Sequence, residues 1–170
     1  MFQGPRRAGG SGVEKIGDDI FITFDLHLIR VTLDKIVNIY NNIDQLPRLV
    51  SLLVHKVDVI ESVDDRKHIV IVLKVPILNI LFEIDTRLQI LQKESPLAYV
   101  FKVDATGDAT VEGQAIFYSQ DALTSMWAQF KVSHCPFHVV IVRLVYNFIE
   151  PIATSLMEAA GKACDMNLVM

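Results

Sequence analysis

The segment from Pro136 to about Met166 constrains the fold most, because it is the only long segment without strand-like alternation. As a helix it would be about 45 Å long, at about 1.5 Å per residue. Polar residues such as Arg143, Asn147 and Glu150 follow one line at helical spacing. The opposite line is apolar and consists of Val145, Phe148, Ile152, Leu156, Ala159 and Ala163. The pattern predicts an amphipathic helix packed on an apolar surface, with a kink at Pro151.

The sequence from Asp18 to the start of this segment predicts strands and two short helices. Apolar and polar residues alternate from Ile20 to about Val31 and in five of six later segments, the last ending near Val132, whereas residues 67–75 (KHIVIVLKV) are apolar on both faces until Lys74. Between the first two strands, Thr32 is an N-cap signal for one short helix, and Pro47 suits the first turn of another. Short polar turns make neighbouring strands antiparallel. The predicted order is one strand, two short helices, six strands and the long helix.

Composition sets the domain organisation and excludes some classes of function. Residues 1–17 hold five of the eight glycines and predict a flexible tail, so residues 18–170 are expected to form one domain. Although 51% of the residues are hydrophobic, no run reaches the roughly 18 to 20 uncharged apolar residues of a membrane span. The net charge is −4, and no basic stripe supports nucleic-acid binding. We expect no nucleic-acid partner.

The cysteines and the N-terminal residues predict the compartment. Two cysteines, Cys135 and Cys164, are too few for a disulfide framework. No apolar segment follows Arg6 and Arg7, as it would in a secretory signal. The expectation is a cytoplasmic protein with free thiols.

The order of elements resembles the helix-grip fold of the START and pollen-allergen-like superfamily, also called SRPBCC. The segment VTLDKIVNIYNNIDQLPRLV resembles the family's opening, in which an N-x-x-x-L-P turn, here Asn42 to Pro47, leads into the second short helix. KVDVIESVDDRKHIVIVLKV resembles the hairpin that follows, and ATGDATVEGQAIFYSQ beside LTSMWAQFKV resembles the last hairpin. The spacing is most similar to the carbon-monoxide-dehydrogenase accessory branch and to uncharacterised archaeal relatives. The resemblance implies an α+β fold with a seven-stranded curved antiparallel sheet around the long helix, over residues 18 to 166.

The candidate site is the apolar face that the strands turn towards the helix. Its interpretation is open between a plain packed core and a ligand cavity of roughly 300 to 1,000 Å³, and a sheet curled around a single helix favours the cavity. Thr86 and Tyr99 are the candidate polar contacts. Gly113 and the small residues Ala109, Ala115 and Ala128 either leave space or allow the strands to bend. The predicted ligand-binding residues are Phe82, Ile84, Thr86, Leu88, Tyr99, Phe101, Val111, Ala115, Phe117, Met126, Ala128, Phe130, Val145, Phe148 and Ile152.

Catalysis and metal binding receive little support from the sequence. The carboxylates of Glu83, Asp85, Asp104 and Glu112 fall on the opposite face, and no nucleophile or acid–base pair points inward. His134 and His138 lie four residues apart beside Cys135, but this spacing alone is a weak metal signal. We therefore expect neither an enzyme nor a metal or cofactor.

Three functions follow from these features, the first being the binding of a lipid-like or other hydrophobic molecule by a carrier, store or sensor. The second, which the resemblance to the carbon-monoxide-dehydrogenase accessory branch implies, is an accessory role in the assembly or membrane association of a partner enzyme. A wide apolar stripe with Val139 and Tyr146 could line the cavity, form a subunit interface or touch a membrane surface. The third and weakest is a polyketide cyclase.

Trp127, on the outer face, is either an ordinary exposed aromatic or part of a dimer patch, so monomer and homodimer both stay open.

Overall fold

The computed structural model describes residues 12–28, 31–49, 51, 53–75, 80–94, 97–120 and 123–134. The predicted C-terminal helix, its kink at Pro151, and the candidate residues Val145, Phe148 and Ile152 lie outside the described residues. None of the described helices is both long enough and apolar enough to cross a bilayer.

The described residues form an α+β fold with one curved antiparallel sheet and short helices. The elements are β1 (Gly12–Ile16), β2 (Asp19–Leu28), α1 (Leu33–Asn41), a 3-10 turn (Ile43–Gln45), α2 (Leu46–Leu49), β3 (Val54–Val63), β4 (Arg66–Lys74), β5 (Leu81–Glu94), β6 (Leu97–Gly107), β7 (Thr110–Gln120) and β8 (Leu123–Ser133). The strand order is β1-β2-β8-β7-β6-β5-β4-β3. The predicted fold class, the antiparallel sheet and the two short helices before β3 are confirmed.

The described sheet has eight strands, whereas the sequence predicts seven. The additional strand is β1, which lies within the segment that composition predicts to be a flexible tail. Ile16 is paired with Asp19, and the turn between them has Gly17 at φ +64°. A two-residue hairpin turn of this kind needs a positive φ, which glycine adopts without steric cost. Part of the glycine content that indicates a tail therefore belongs to a hairpin.

Helix α1 begins and ends with side-chain caps that the sequence encodes locally. The Thr32 hydroxyl accepts a hydrogen bond from the backbone N–H of Lys35 at 3.3 Å, which confirms the predicted N-cap. At the other end, the Asn42 side-chain amide donates to the Asn38 carbonyl at 2.8 Å. Leu33 and Ile36 are buried in the main core, which places α1 on one face of the sheet. We call this the inner face.

The strand register decides which residues share the inner face, because directly paired residues of antiparallel strands point to the same side. Thr86 of β5 is paired with Ile69 of β4 and with Ala105 of β6. The same row continues through β7, β8 and β2 with Val111, Val132 and Ile20. In the other rows of paired residues, too, the side chains of a row lie on one side of the sheet. The register therefore produces a continuous apolar inner face from β4 to β2.

Gly113 of β7 lies close to the backbone of β8. A Cβ atom on Gly113 would lie 2.1 Å from the Gln129 carbonyl oxygen and 2.8 Å from the Cδ1 atom of Phe130. Gly113 therefore leaves no free space, and the close approach of the neighbouring strand accounts for the glycine. The neighbouring small residues Ala115 and Ala128 are also buried.

We predict that Gly113→Ala lowers the free energy of unfolding by about 1–3 kcal/mol, because backbone atoms of β8 must move to admit the methyl group. Gly12→Ala is the matched control, since a Cβ there would meet no atom within 4 Å. It should change stability by less than about 0.5 kcal/mol. Urea denaturation of both variants measures the difference, and equal midpoints would show that the close approach at Gly113 imposes no constraint.

Candidate ligand-binding site

The structure places all twelve sheet residues of the predicted site on the inner face. Phe101 is paired with Ala115, which is paired with Ala128, and Phe117 lies between Tyr99 and Met126. The remaining members, Phe82, Ile84, Thr86, Leu88, Val111 and Phe130, join the same face through the rows around them. The acidic residues Glu83, Asp85, Asp104 and Glu112 lie on the outer face. Contact of the twelve residues with a ligand stays a prediction.

Burial divides this face into two parts. Many of its side chains are closed in: Phe24 of β2, Ala115 and Phe117 of β7, and Ala128 of β8 are all less than 9% exposed. In β5 and β6, Ile84 is also buried, whereas the apolar side chains from Leu88 to Ile90 and from Tyr99 to Val103 on this face are only half-buried. We call the second part the β5–β6 strip, and it consists of Leu88, Ile90, Tyr99, Phe101 and Val103.

The β5–β6 strip is continuous, and two of its members are absent from the predicted site. Leu88 is paired with Val103, and Ile90 is paired with Phe101. Ile90 and Val103 have the same alternation as their predicted neighbours, so the sequence carried the signal that would have included them. The strip is an apolar surface inside the fold that retains access to solvent.

The two predicted polar contacts lie far apart. Thr86 is paired with Ala105, whereas Tyr99 is paired with Gln92, six residues further along β5. At about 3.3 Å per residue, this separates the two positions by roughly 20 Å along the strand. The buried Thr86 hydroxyl has only a long bond, 3.4 Å, to the carbonyl of Ile84 on its own strand. Within the described residues the Tyr99 hydroxyl has no hydrogen-bond partner. A small ligand could contact one of them, and only an elongated ligand could contact both.

Tyr40 of α1 covers one end of the β5–β6 strip. Its ring centroid lies 5.4 Å from that of Phe101, and Phe101 meets Phe117 edge-on at 5.5 Å. The Tyr40 hydroxyl donates to the carbonyl of Asp65, in the turn between β3 and β4, at 3.1 Å. Tyr40 therefore joins α1 to that turn and to the strip. The sequence gives no signal for this role of Tyr40, because its partners are distant in the chain.

A cationic side chain, Lys67 of β4, borders the strip. Lys67 is paired with Leu88 and with Ser62, so it belongs to the inner face. Its Nζ donates to the Ser62 hydroxyl at 2.9 Å and lies 5.1 Å from the centre of the Tyr40 ring. This geometry is a cation–π contact. Lys67 is not among the predicted site residues.

The outer face differs in character from the inner face. An open groove of about 1010 Å³ crosses it, with charged side chains of both signs, such as Arg66, Arg87, Asp104 and Glu112, along its lining. Trp127 also lies on this face but is only 6% exposed. Both predicted interpretations of Trp127, an exposed aromatic and a dimer patch, are therefore wrong. Among the residues that the structure describes, no group of three His, Cys, Asp or Glu side chains could hold a metal ion.

A curved antiparallel sheet with two short helices inserted before β3 and an apolar inner face is consistent with the helix-grip fold. Solved structures of START, lipid-transfer and aromatase/cyclase proteins share it, and the predicted resemblance to the START/SRPBCC fold is confirmed. No protein-family model matches the chain, and no curated protein sequence matches it significantly. The relation to the carbon-monoxide-dehydrogenase accessory branch is not shown.

Three of the similar structures illustrate the match. Human STARD10 has a TM-score of 0.63 at 11% identity, with 91% of this chain and 73% of that one covered. The Zhui aromatase/cyclase from a Streptomyces species has a TM-score of 0.60 at 8% identity, with 88% and 96% covered. A STAR-related lipid transfer protein from Xanthomonas axonopodis has a TM-score of 0.56 at 11% identity, with 74% and 82% covered. At such identities the likeness shows the fold alone.

We predict that the contribution of Tyr40 to stability falls at high pH. Burial, with a smaller contribution from the charge of Asp65, raises the pKa of Tyr40 above its ordinary value of 10.0. The folded state therefore keeps this proton more strongly than the unfolded state, so stability is fully present below pH 10 and is lost as the pH rises through the raised pKa. At neutral pH, Tyr40→Phe should cost about 0.5–1.5 kcal/mol through the lost hydrogen bond to Asp65.

Urea denaturation from about pH 8 to pH 11 tests this dependence. The stabilities of the wild type and Tyr40→Phe should converge as the pH rises past 10. Tyr118→Phe, which removes a half-buried phenol from the outer face, is the matched control. The same convergence in Tyr118→Phe would contradict the assignment to Tyr40.

Proposed function

We propose that this protein binds a lipid-like or other hydrophobic small molecule on the inner face of its sheet, as a carrier, store or sensor. The observation that carries the proposal is the β5–β6 strip, in which five apolar or aromatic side chains stay half-buried on the face that also forms the core. Burial of such surface by a ligand would contribute about 25 cal/mol per Å² of apolar area.

The solved structures of the same fold support this class of ligand. One is named a STAR-related lipid transfer protein and another an aromatase/cyclase, so the fold serves both binding and catalysis. For this chain we propose a binding role without catalysis. Along the described inner face of β4 to β8 there is no imidazole, and the carboxylate found there, Glu94, lies at the exposed end of β5. Imidazole and carboxylate side chains are the commonest general acids and bases.

The other roles proposed from sequence have narrower support. A cyclase-like activity is favoured only by the aromatase/cyclase fold match. An accessory role for a partner enzyme, like the cytoplasmic location, rests on the sequence alone. The binding proposal is therefore the one with a structural observation behind it.

We predict that Val103→Phe weakens binding of methyl parinarate, a fluorescent uncharged lipid, by about tenfold or more, because the larger ring occupies the middle of the β5–β6 strip. Titration of the purified protein with the probe measures the affinity. Thr106→Phe, a similar enlargement on the exposed outer side of the same strand, is the control and should bind like the wild type. Thermal denaturation verifies that both variants fold.

Native mass spectrometry of the purified protein is the independent measurement. A co-purified small apolar molecule, together with a saturable titration, would support the proposal. The absence of saturable fluorescence in the wild type, with no bound molecule in the mass spectrum, would refute it.

A further inference from the structure

Lys67 lies beside an apolar surface and has no acidic partner among the described residues. Its neighbours across the sheet are Leu88 on one side and Ser62 on the other, and Leu88 is in turn paired with Val103 of the β5–β6 strip. The ammonium therefore lies at the β4 border of the strip, and the contact with Tyr40 fixes it there. Its position combines an apolar surface with one positive charge at the border of that surface.

Within the described part of the chain, Lys67 shares the lack of an acidic partner with Lys102 of the outer face, and it differs from Lys102 in lying beside an apolar surface. Lys56 forms an ion pair with Asp58, and Lys131 forms pairs with Asp19 and Glu112. Within the described residues, no carboxylate lies within 4.0 Å of the Lys67 ammonium. Its contacts are a neutral hydroxyl and an aromatic ring. The stem of Lys67 is half-buried and its hydrogen bond to Ser62 is exposed, so a ligand could reach the charge.

We propose that Lys67 binds the anionic head group of an amphipathic ligand whose apolar chain lies along the β5–β6 strip. This inference rests on the proposed function and names the ligand class: a carboxylate or phosphate joined to an apolar chain. An ammonium has three donors, and Ser62 accepts one of them, so donors remain for the anion. The Ser62 hydroxyl keeps its own proton and can donate it to the same anion. Charge-assisted hydrogen bonds of this kind are stronger than neutral ones.

Parinaric acid and its methyl ester test the proposal, because they share one fluorescent chain and differ only in the head group, an anionic carboxylate in the acid and an uncharged methyl ester in the other. Both are titrated at about pH 8, where the carboxylate is ionised. The wild type should bind the acid about tenfold or more tightly than the ester, and Lys67→Met should abolish this preference while its affinity for the ester stays within about twofold. Lys67→Arg should keep the preference. So should Lys102→Met, which removes an exposed lysine from the outer face.

The outcomes separate this inference from the proposed function. Equal affinity of the wild type for acid and ester would overturn the role of Lys67 and leave hydrophobic binding in place. A Lys67→Met variant that loses both probes to the same extent would also overturn it, because the lysine would then act through the structure. If neither probe saturates the wild type, the proposed function fails and this inference fails with it.

A displacement series identifies the source of the charge. Methyl parinarate bound to the wild type is displaced either by a fatty acid or by lysophosphatidic acid of the same chain length. Stronger displacement by the fatty acid assigns a carboxylate, and stronger displacement by the lysophospholipid assigns a phosphate. In each case Lys67→Met should reduce the advantage of that anion over a monoacylglycerol, which has no charge. An advantage that Lys67→Met leaves unchanged would overturn the proposal.

Discussion

The antiparallel register from β4 through β8 to β2 is the constraint on which the other features depend. Because paired residues point to the same side, one continuous ladder of hydrogen bonds brings apolar side chains from six strands to a single face. A slip of one residue in any pair would turn that strand's apolar set outward. The close approach at Gly113 restricts such slips between β7 and β8, because a backbone carbonyl and the Phe130 ring occupy the place of a side chain.

The predictable part of the fold and site follows from patterns within single strands. In β5, Phe82, Ile84 and Leu88 alternate with polar residues, so the inward set could be read without the structure. In β4 the sequence KHIVIVLKV is apolar at both parities and gives no such signal. The inward direction of Lys67 is fixed only by its pairing with Leu88, a residue on another strand. The same limit applies to Tyr40, whose role depends on the distant Asp65 carbonyl.

Predictions from composition and strand alternation fail where tertiary contacts decide the structure. The glycines near the N terminus indicate a tail, yet Gly17 is the turn residue that lets β1 pair with β2. Trp127 occupies an outward position and is nevertheless buried. The alternation of a strand shows on which side of the sheet a residue lies. Whether that residue is buried depends on what else packs on that side, and the alternation carries no information about this.

The inner face contains both a packed core and a half-buried strip, and our binding proposal concerns only the strip. Phe24, Ala115, Phe117 and Ala128 are buried in the main core. The β5–β6 strip stays half-buried, with Lys67 in one row and Tyr99 two rows away, about 13 Å at 3.3 Å per residue along β5. The Tyr99 hydroxyl has no partner among the described residues, and the Lys67 ammonium has no acid there. A polar group without a partner would be a defect in a closed core, whereas beside a half-buried strip the Tyr99 hydroxyl and the remaining donors of Lys67 are accessible to the elongated amphiphile that we propose.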